Sequence, residues 1–216
     1  MENAEIIALW KSYDRKLEEN LALNRKNALE LTQIKVRSFL LSMRPIKIFA
    51  VLIGLFWVVL VDSSIITLFS AASPFFLISA GIQSLLTKLA IGIYLYQLVL
   101  IHQTDIFEPI VATQEKLSRL KASTLWVARL LFLQLPLWTT FYLNKSMFEH
   151  ASTEWMLVQV LLTAGFTYLA FWLFGHIKYE NRDKKWFRLI FTGREWEPML
   201  RSMELLSQVE EYKKEE

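Results

Sequence analysis

The stretch "IKIFAVLIGLFWVVLVDSSIITLFSAASPFFLISAGIQSLLTKLAIGIYLYQLVLI", residues 46–101, holds two apolar runs parted only by a short serine and proline turn. A helix needs roughly 20 residues to cross a hydrocarbon core of about 30 Å. Runs 46–69 and 75–101 both exceed that length. Between them, Ser73-Pro74 reads as a helix start, the serine oxygen capping and proline taking the first helical position. The runs lack the period-two alternation of barrel strands, and only helices and closed barrels satisfy their backbones in lipid. Two spanning helices joined by a tight hairpin are predicted.

Two further apolar runs follow, at 125–143 and 155–175. The predicted fold class is therefore an all-α membrane protein with four transmembrane helices and a cytoplasmic helical layer. That layer comprises residues 1–45, the 102–124 connection within the 46–175 transmembrane domain, and the 176–216 tail. Hydrophobic residues make up 54% of the 216, enough for this bunching. The chain has no cysteine, which excludes disulfides, thiolate metal sites and a cysteine nucleophile. The first run follows 45 mostly polar residues without a small-residue cleavage site, so it reads as a retained anchor.

Lysine and arginine counts set the expected orientation. Residues 1–47 hold nine, 102–124 hold three and the tail after Gly175 holds nine, whereas 70–74 hold none and 144–154 only Lys145. By the positive-inside rule both termini and the middle connection are cytoplasmic. Trp138 and Trp155 then fall near the opposite face, as an aromatic belt would place them.

Polar residues interrupt the spans. Ser79, Gln83 and Thr87 recur every fourth residue in the second, and Gln159, Thr163 and Thr167 do so in the fourth. Each triplet stacks on one helix face, either as interhelical glue or as a transport path. Asp62 and Lys88 are costlier, since a charge inside a span needs a partner or water. Counted outward from Ala72 they are offset by six residues, about 9 Å of helix rise, so a pair would be strained. The other reading sends Asp62 to outer headgroups and Lys88 to a wet pocket. Arg129, one turn into the third span, can snorkel to phosphates. Gln134 and Pro136 follow in "LFLQLPLW", where the proline cannot donate to the Phe132 carbonyl and a kink is expected.

The segment "WKSYDRKLEENLALNRKNALEL", residues 10–31, is too charged to enter a bilayer. Trp10, Tyr13, Leu17, Asn20, Asn24, Asn27, Leu31 and Ile34 alternate by three and four residues, a heptad seam with an asparagine middle. Leu21 and Ala28 offer a competing face. One reading packs this helix on the chain's own cytoplasmic helices. The other has its seam engage a partner reversibly, with Trp10 and Tyr13 as anchors. The connection is expected to be helical after Pro109. In the tail, Lys184, Lys185, Trp186, Phe187 and Arg188 suit anionic headgroups. Gly193 reads as a stop, Pro198 as a new helix start, and Met199 and Met203 as part of an adaptable apolar stripe. The N-terminal, middle and last helices form the expected cytoplasmic bundle.

No complete catalytic or cofactor motif is present, so no enzyme activity, metal or cofactor is expected. His102, His150 and His176 make no helical metal-binding pair, and the six glycines make no phosphate loop. Asn144-Lys145-Ser146 matches a glycosylation acceptor. The basic balance belongs to membrane flanks and does not call for nucleic acid.

The order of "ALWKSYDRKLEENLALN" (8–24), "KASTLWVARLLFLQLPLWTTFY" (121–142) and "DKKWFRLIFTGREWEPMLRSMELLSQVEEYKKE" (183–215) resembles a group of small four-span membrane proteins of Bacteroidetes. The placement of the N-terminal helix is similar to that in regulators that hold a sigma factor at the membrane. The resemblance raises a membrane-tethered interaction or regulatory protein of a bacterial inner membrane, an anti-sigma-like role that occludes a soluble cytoplasmic partner being one concrete form. The expected partners are the bilayer and a soluble protein or the chain's own subunits. The alternative is a small homo-oligomeric channel or transporter using Asp62, Gln83, Lys88 and Gln134, with a lipid-handling enzyme third.

Overall fold

A computed structural model describes residues 2–103 and 110–191, together with 197–198, 201–202 and 204–205. Among the described residues the chain is helical throughout and contains no strand. Three of the described helices are long and apolar enough to cross a membrane, which is compatible with a membrane-embedded chain.

Helix α1 runs without interruption from Glu2 to Leu68, about 100 Å at 1.5 Å per residue. It passes Pro45 instead of dividing there, so the charged N-terminal segment and the first apolar run are one rod. The turn after Leu68 closes through its carbonyl, which accepts from the amides of Ala71 and Ala72 at 2.9 and 2.7 Å. Helix α2, Pro74–His102, then starts as its sequence requires. The Ser73 side chain accepts from the Phe76 amide at 3.2 Å, and Pro74 supplies a first residue with no amide to satisfy. Ser73 also donates to the Leu143 carbonyl at 2.6 Å, tying this hairpin to the next one.

Helices α1 and α2 pack closely along their shared length. An added Cβ at Gly54 would stand 3.0 Å from Ile91 Cγ1, so the absent side chain sets that approach. Val51, Val58 and Ile91 form the buried cluster there.

Helix α3, Ile110–Phe132, covers the connection expected to be helical and continues into the apolar run, while Pro109 lies outside the described residues. The expected third span, 125–143, is not one helix. Beyond Leu133 the bonds tighten to the third residue back: Gln134 donates to Leu131, Leu135 to Phe132 and Leu137 to Gln134, at 3.0–3.2 Å. Only a short helix α4, Leu137–Thr140, resumes. Pro136 has no amide to continue the α-helical ladder, and the carbonyl it would have orphaned, that of Phe132, is taken by Leu135. Helix α5, Lys145–His150, is capped by Asn144, whose Oδ1 accepts from the Met147 amide at 2.8 Å. Ser152 caps α6, Thr153–His176, in the same manner.

The larger core lies at the end of the bundle away from the hairpin turn. Val36, Leu40 and Met43 of α1 meet Ile101 of α2, Leu117, Leu120 and Leu125 of α3, and Leu173 and Ile177 at the end of α6. A short 3₁₀ turn, Tyr179–Asn181, brings in helix α7, Lys185–Phe191. Phe187 and Phe191 of α7 point into this core and Trp186 packs against it, whereas Lys184, Lys185 and Arg188 stay exposed. Trp186, Phe187 and Phe191 are thus structural, whereas the cations and Leu189 face outward. Deleting a ring such as Phe187 from a packed site costs about 3–5 kcal/mol.

Candidate functional site

Two sets of residues carry the chemistry that this fold can offer. One is the N-terminal portion of α1, here called the arm; the other is a column of polar groups along α2.

Every described side chain of the arm from Ile6 to Ala28 is exposed. Trp10 is 67% exposed and Tyr13 64%, and Leu17, Asn20, Asn24 and Asn27 are exposed with them. Half-buried Thr32 and Gln33 lead into the packed part of α1, where Val36 is the first buried residue described. In the described residues, the N-terminal helix therefore joins the expected bundle only through its 36–43 segment, which meets α3 and α7. Of the last helix, Ser202 is buried and Leu205 touches the core. Met199 and Met203 lie outside the described residues.

Along α2 the polar groups occur at three levels. Nearest the hairpin, Ser79 and Thr140 share a hydrogen bond of 2.9 Å. Gln159 of α6 donates to the Thr139 carbonyl at 2.6 Å and accepts from the Tyr142 hydroxyl at 2.6 Å. It also donates to Thr163, and Thr167 bonds back to the Thr163 carbonyl, so the α6 triplet is committed to local and interhelical bonds.

At the middle level, Lys88 Nζ lies 2.8 Å from Asp62 Oδ2, and Ser84 donates to Asp62 Oδ1 at 2.5 Å. The pair that residue counting made strained is formed readily. Asp62 stands opposite Ser84, one helical turn from Lys88, and helical side chains lean toward their own N-terminus. The lysine stem therefore needs to cover only about 6 Å of helix rise. Both partners remain accessible at the outside of the bundle, with Lys88 half exposed. Beside Lys88 opens a groove of about 470 Å³ lined by Leu89, Gly92, Tyr96 and Trp126.

About 100° round α2, Gln134 donates to the Thr87 hydroxyl at 3.2 Å, and that hydroxyl bonds back to the Gln83 carbonyl at 2.8 Å. The break around Pro136 is what aims Gln134 there. Gln83 is 8% exposed, and its Nε2 has no hydrogen-bond partner in the described structure.

The third level is one that sequence reading missed. Lys47 is fully buried and donates to Gln97 Oε1 at 2.5 Å, while Gln97 Nε2 donates to Ser123 at 3.1 Å. The Tyr94 ring lies 5.2 Å from the Lys47 ammonium. This links α1, α2 and α3 in one buried chain. Gln97 alone in "IYLYQLVLI" was the available signal. Lys47 gave none, because a cation at a span boundary ordinarily counts as a flank.

Arg129 reaches the end of α6. Its Nε and Nη2 both donate to the Ile177 carbonyl, at 2.9 and 2.7 Å, and its guanidinium lies over Trp126. Ile177 is the C-cap of α6, so the cation sits where the helix dipole and unpaired carbonyls favour it. Close by, Lys121 lies 4.0 Å from the Tyr179 ring. Burial first, and then the charge of Arg182, holds the Lys121 ammonium below its usual pKa of 10.5.

Among the described residues no three His, Cys, Asp or Glu side chains gather to hold a metal ion. No protein-family model, curated protein or solved structure matches this chain.

Proposed function

We propose that this chain is a four-span protein of a bacterial inner membrane with both termini cytoplasmic, and that it acts as a membrane-tethered interaction protein. The uneven distribution of lysine and arginine supports the orientation. In this reading the broken α3–α4 segment is the remaining span. Its irregular backbone at membrane depth is tolerated because α2 and α6 cover it with Thr87, Ser79 and Gln159.

The observation that carries the function is the arm. A helix of nearly thirty residues projects from the core with Trp10, Tyr13 and Leu17 exposed, and aromatic anchors of this kind dominate helix-mediated interfaces. The arm holds a soluble cytoplasmic partner, an anti-sigma-like occlusion being one concrete form, and a change in the spans releases it. No catalytic step is assigned. The test is to purify the full chain and a Trp10→Ala/Tyr13→Ala variant from native membranes and compare their bound proteins. A stoichiometric soluble protein on the wild type that is lost from the variant supports the reading. An equal complement on both contradicts it.

One observation favours the alternative of a small homo-oligomeric channel or transporter: Asp62 and Lys88 lie at the bundle surface, where several copies would line a path with them. Against it, Asp62 and Lys88 bond each other, and Gln134 bonds Thr87. Ion flux in liposomes that changes with Asp62→Asn or Lys88→Met would favour the channel.

A further inference from the structure

We infer that the arm of α1 pairs, parallel and in register, with the arm of a second copy of this chain. Written as heptads, Trp10, Leu17, Asn24 and Leu31 take position a, and Tyr13, Asn20, Asn27 and Ile34 take position d. None of these eight is charged. The outward b, c and f positions hold Lys11, Arg15, Glu18, Glu19, Arg25 and Lys26. That partition is the one a two-stranded coil requires, with the seam apolar or amide and the charges on the outside.

The second copy is singled out by three features. First, Glu30 at g and Lys35 at e face each other across a parallel homodimer, twice by symmetry, and no like charges oppose at the other flanking positions. Second, three seam asparagines in succession suit few partners. In register with their own copies, each amide meets an identical amide that has both a donor and an acceptor. Third, under the proposed topology, two chains in one membrane rise from it in the same direction and at the same height. Anchoring therefore supplies the parallel orientation and register that an isolated coil would have to specify for itself.

The fold leaves this face free. The a and d register continues down α1 through Leu41, Ile48, Leu52, Leu55 and Val59, all exposed. The chain's own core instead takes Val36, Leu40, Met43 and Lys47, from the c and f positions on the opposite side. Pairing encloses Trp10, Tyr13 and Leu17 in the seam, so a soluble partner meets the two-stranded surface that Leu21, Leu23 and Ala28 flank, and Trp10→Ala/Tyr13→Ala loses that partner by losing the pair. In that respect the inference rests on the arm being the working part.

The absence of cysteine makes the test direct. Single cysteines are placed in the full chain at Leu17, Asn27 and Leu31, at Leu21 and Ala28, and at Lys11, Ser12 and Ala22. Native membranes are then oxidised and disulfide-linked dimers are read on a gel. The inference predicts that the first group exceeds the last on the order of tenfold, because a and d lie at the axis of the pair and b, c and f outside it. Asn20→Glu/Asn27→Glu, which sets like charges across the seam, abolishes the dimer formed by Leu31→Cys. Equal or absent dimers at all positions, or a maximum at Leu21 and Ala28, overturn it. Capture of the soluble protein is scored separately. Capture without seam crosslinks sinks the pairing and spares the tether; seam crosslinks without capture do the reverse.

Discussion

The Asp62 carboxylate lies 2.8 Å from the Lys88 ammonium, with Ser84 donating to its other oxygen, so opposite charges on two apolar helices neutralise each other. Removing one partner leaves the other charge inside the apolar segment, which is costlier than removing both. Lys88→Met and Asp62→Asn should each lower the melting temperature in detergent, and the double variant should recover most of the loss. Ion flux in liposomes should be unchanged in all three.

Arg129 ties α3 to the end of α6 through two bonds to one carbonyl. Charge-assisted bonds of this kind contribute about 1.5–3 kcal/mol each. Arg129→Met should therefore speed hydrogen exchange at Ile177 and through α7, with α2 unaffected. Arg129→Lys should fall between, since an ammonium cannot reproduce the fork.

Gln97 bridges Lys47 and Ser123. Gln97→Leu removes an acceptor from a buried ammonium and should destabilise by roughly 1–3 kcal/mol in a reversible unfolding assay. Gln97→Glu supplies a counter-charge at the same position and should be tolerated much better.

The pairing of Gln134 with Thr87 depends on the break at Pro136. A double-mutant cycle of Gln134→Leu and Thr87→Val should give a coupling of about 0.6 kcal/mol, the average for such bonds within membranes. Pro136→Ala restores an amide and lets α3 continue, which turns Gln134 away. In that background the coupling should vanish.

Lys121 gives a pH signature. Its folded-state pKa is lowered, so between that value and 10.5 the unfolded chain binds the extra proton. The penalty on the folded state is complete at neutral pH and disappears as pH rises through this window. Lys121→Met should therefore gain stability relative to wild type at neutral pH. The gain should shrink toward pH 10.5, and stability curves at several pH values would show it.

Much of the fold was legible because its signals are local. Ser73-Pro74 set the start of α2, and the heptad spacing marked a face that α1 leaves exposed. What was not legible depends on how helices meet. The turn between α1 and α2 consumes residues unevenly, so counting from Ala72 misjudged the offset of Asp62 and Lys88. Lys47 and Arg129 both look like boundary cations in sequence, yet one is enclosed by three helices and the other caps a fourth. Pro136 announced a distortion but not its form, since recapture of the Phe132 carbonyl by Leu135 is a property of the folded turn.

The proposal that the arm holds a soluble partner is tested most directly by a native mass spectrum of the full chain, purified gently from its own membranes. The prediction is a stoichiometric complex with a soluble protein, lost on Trp10→Ala/Tyr13→Ala while the chain stays folded. A spectrum showing only the chain itself, alone or as a discrete oligomer and identical in the variant, would contradict it.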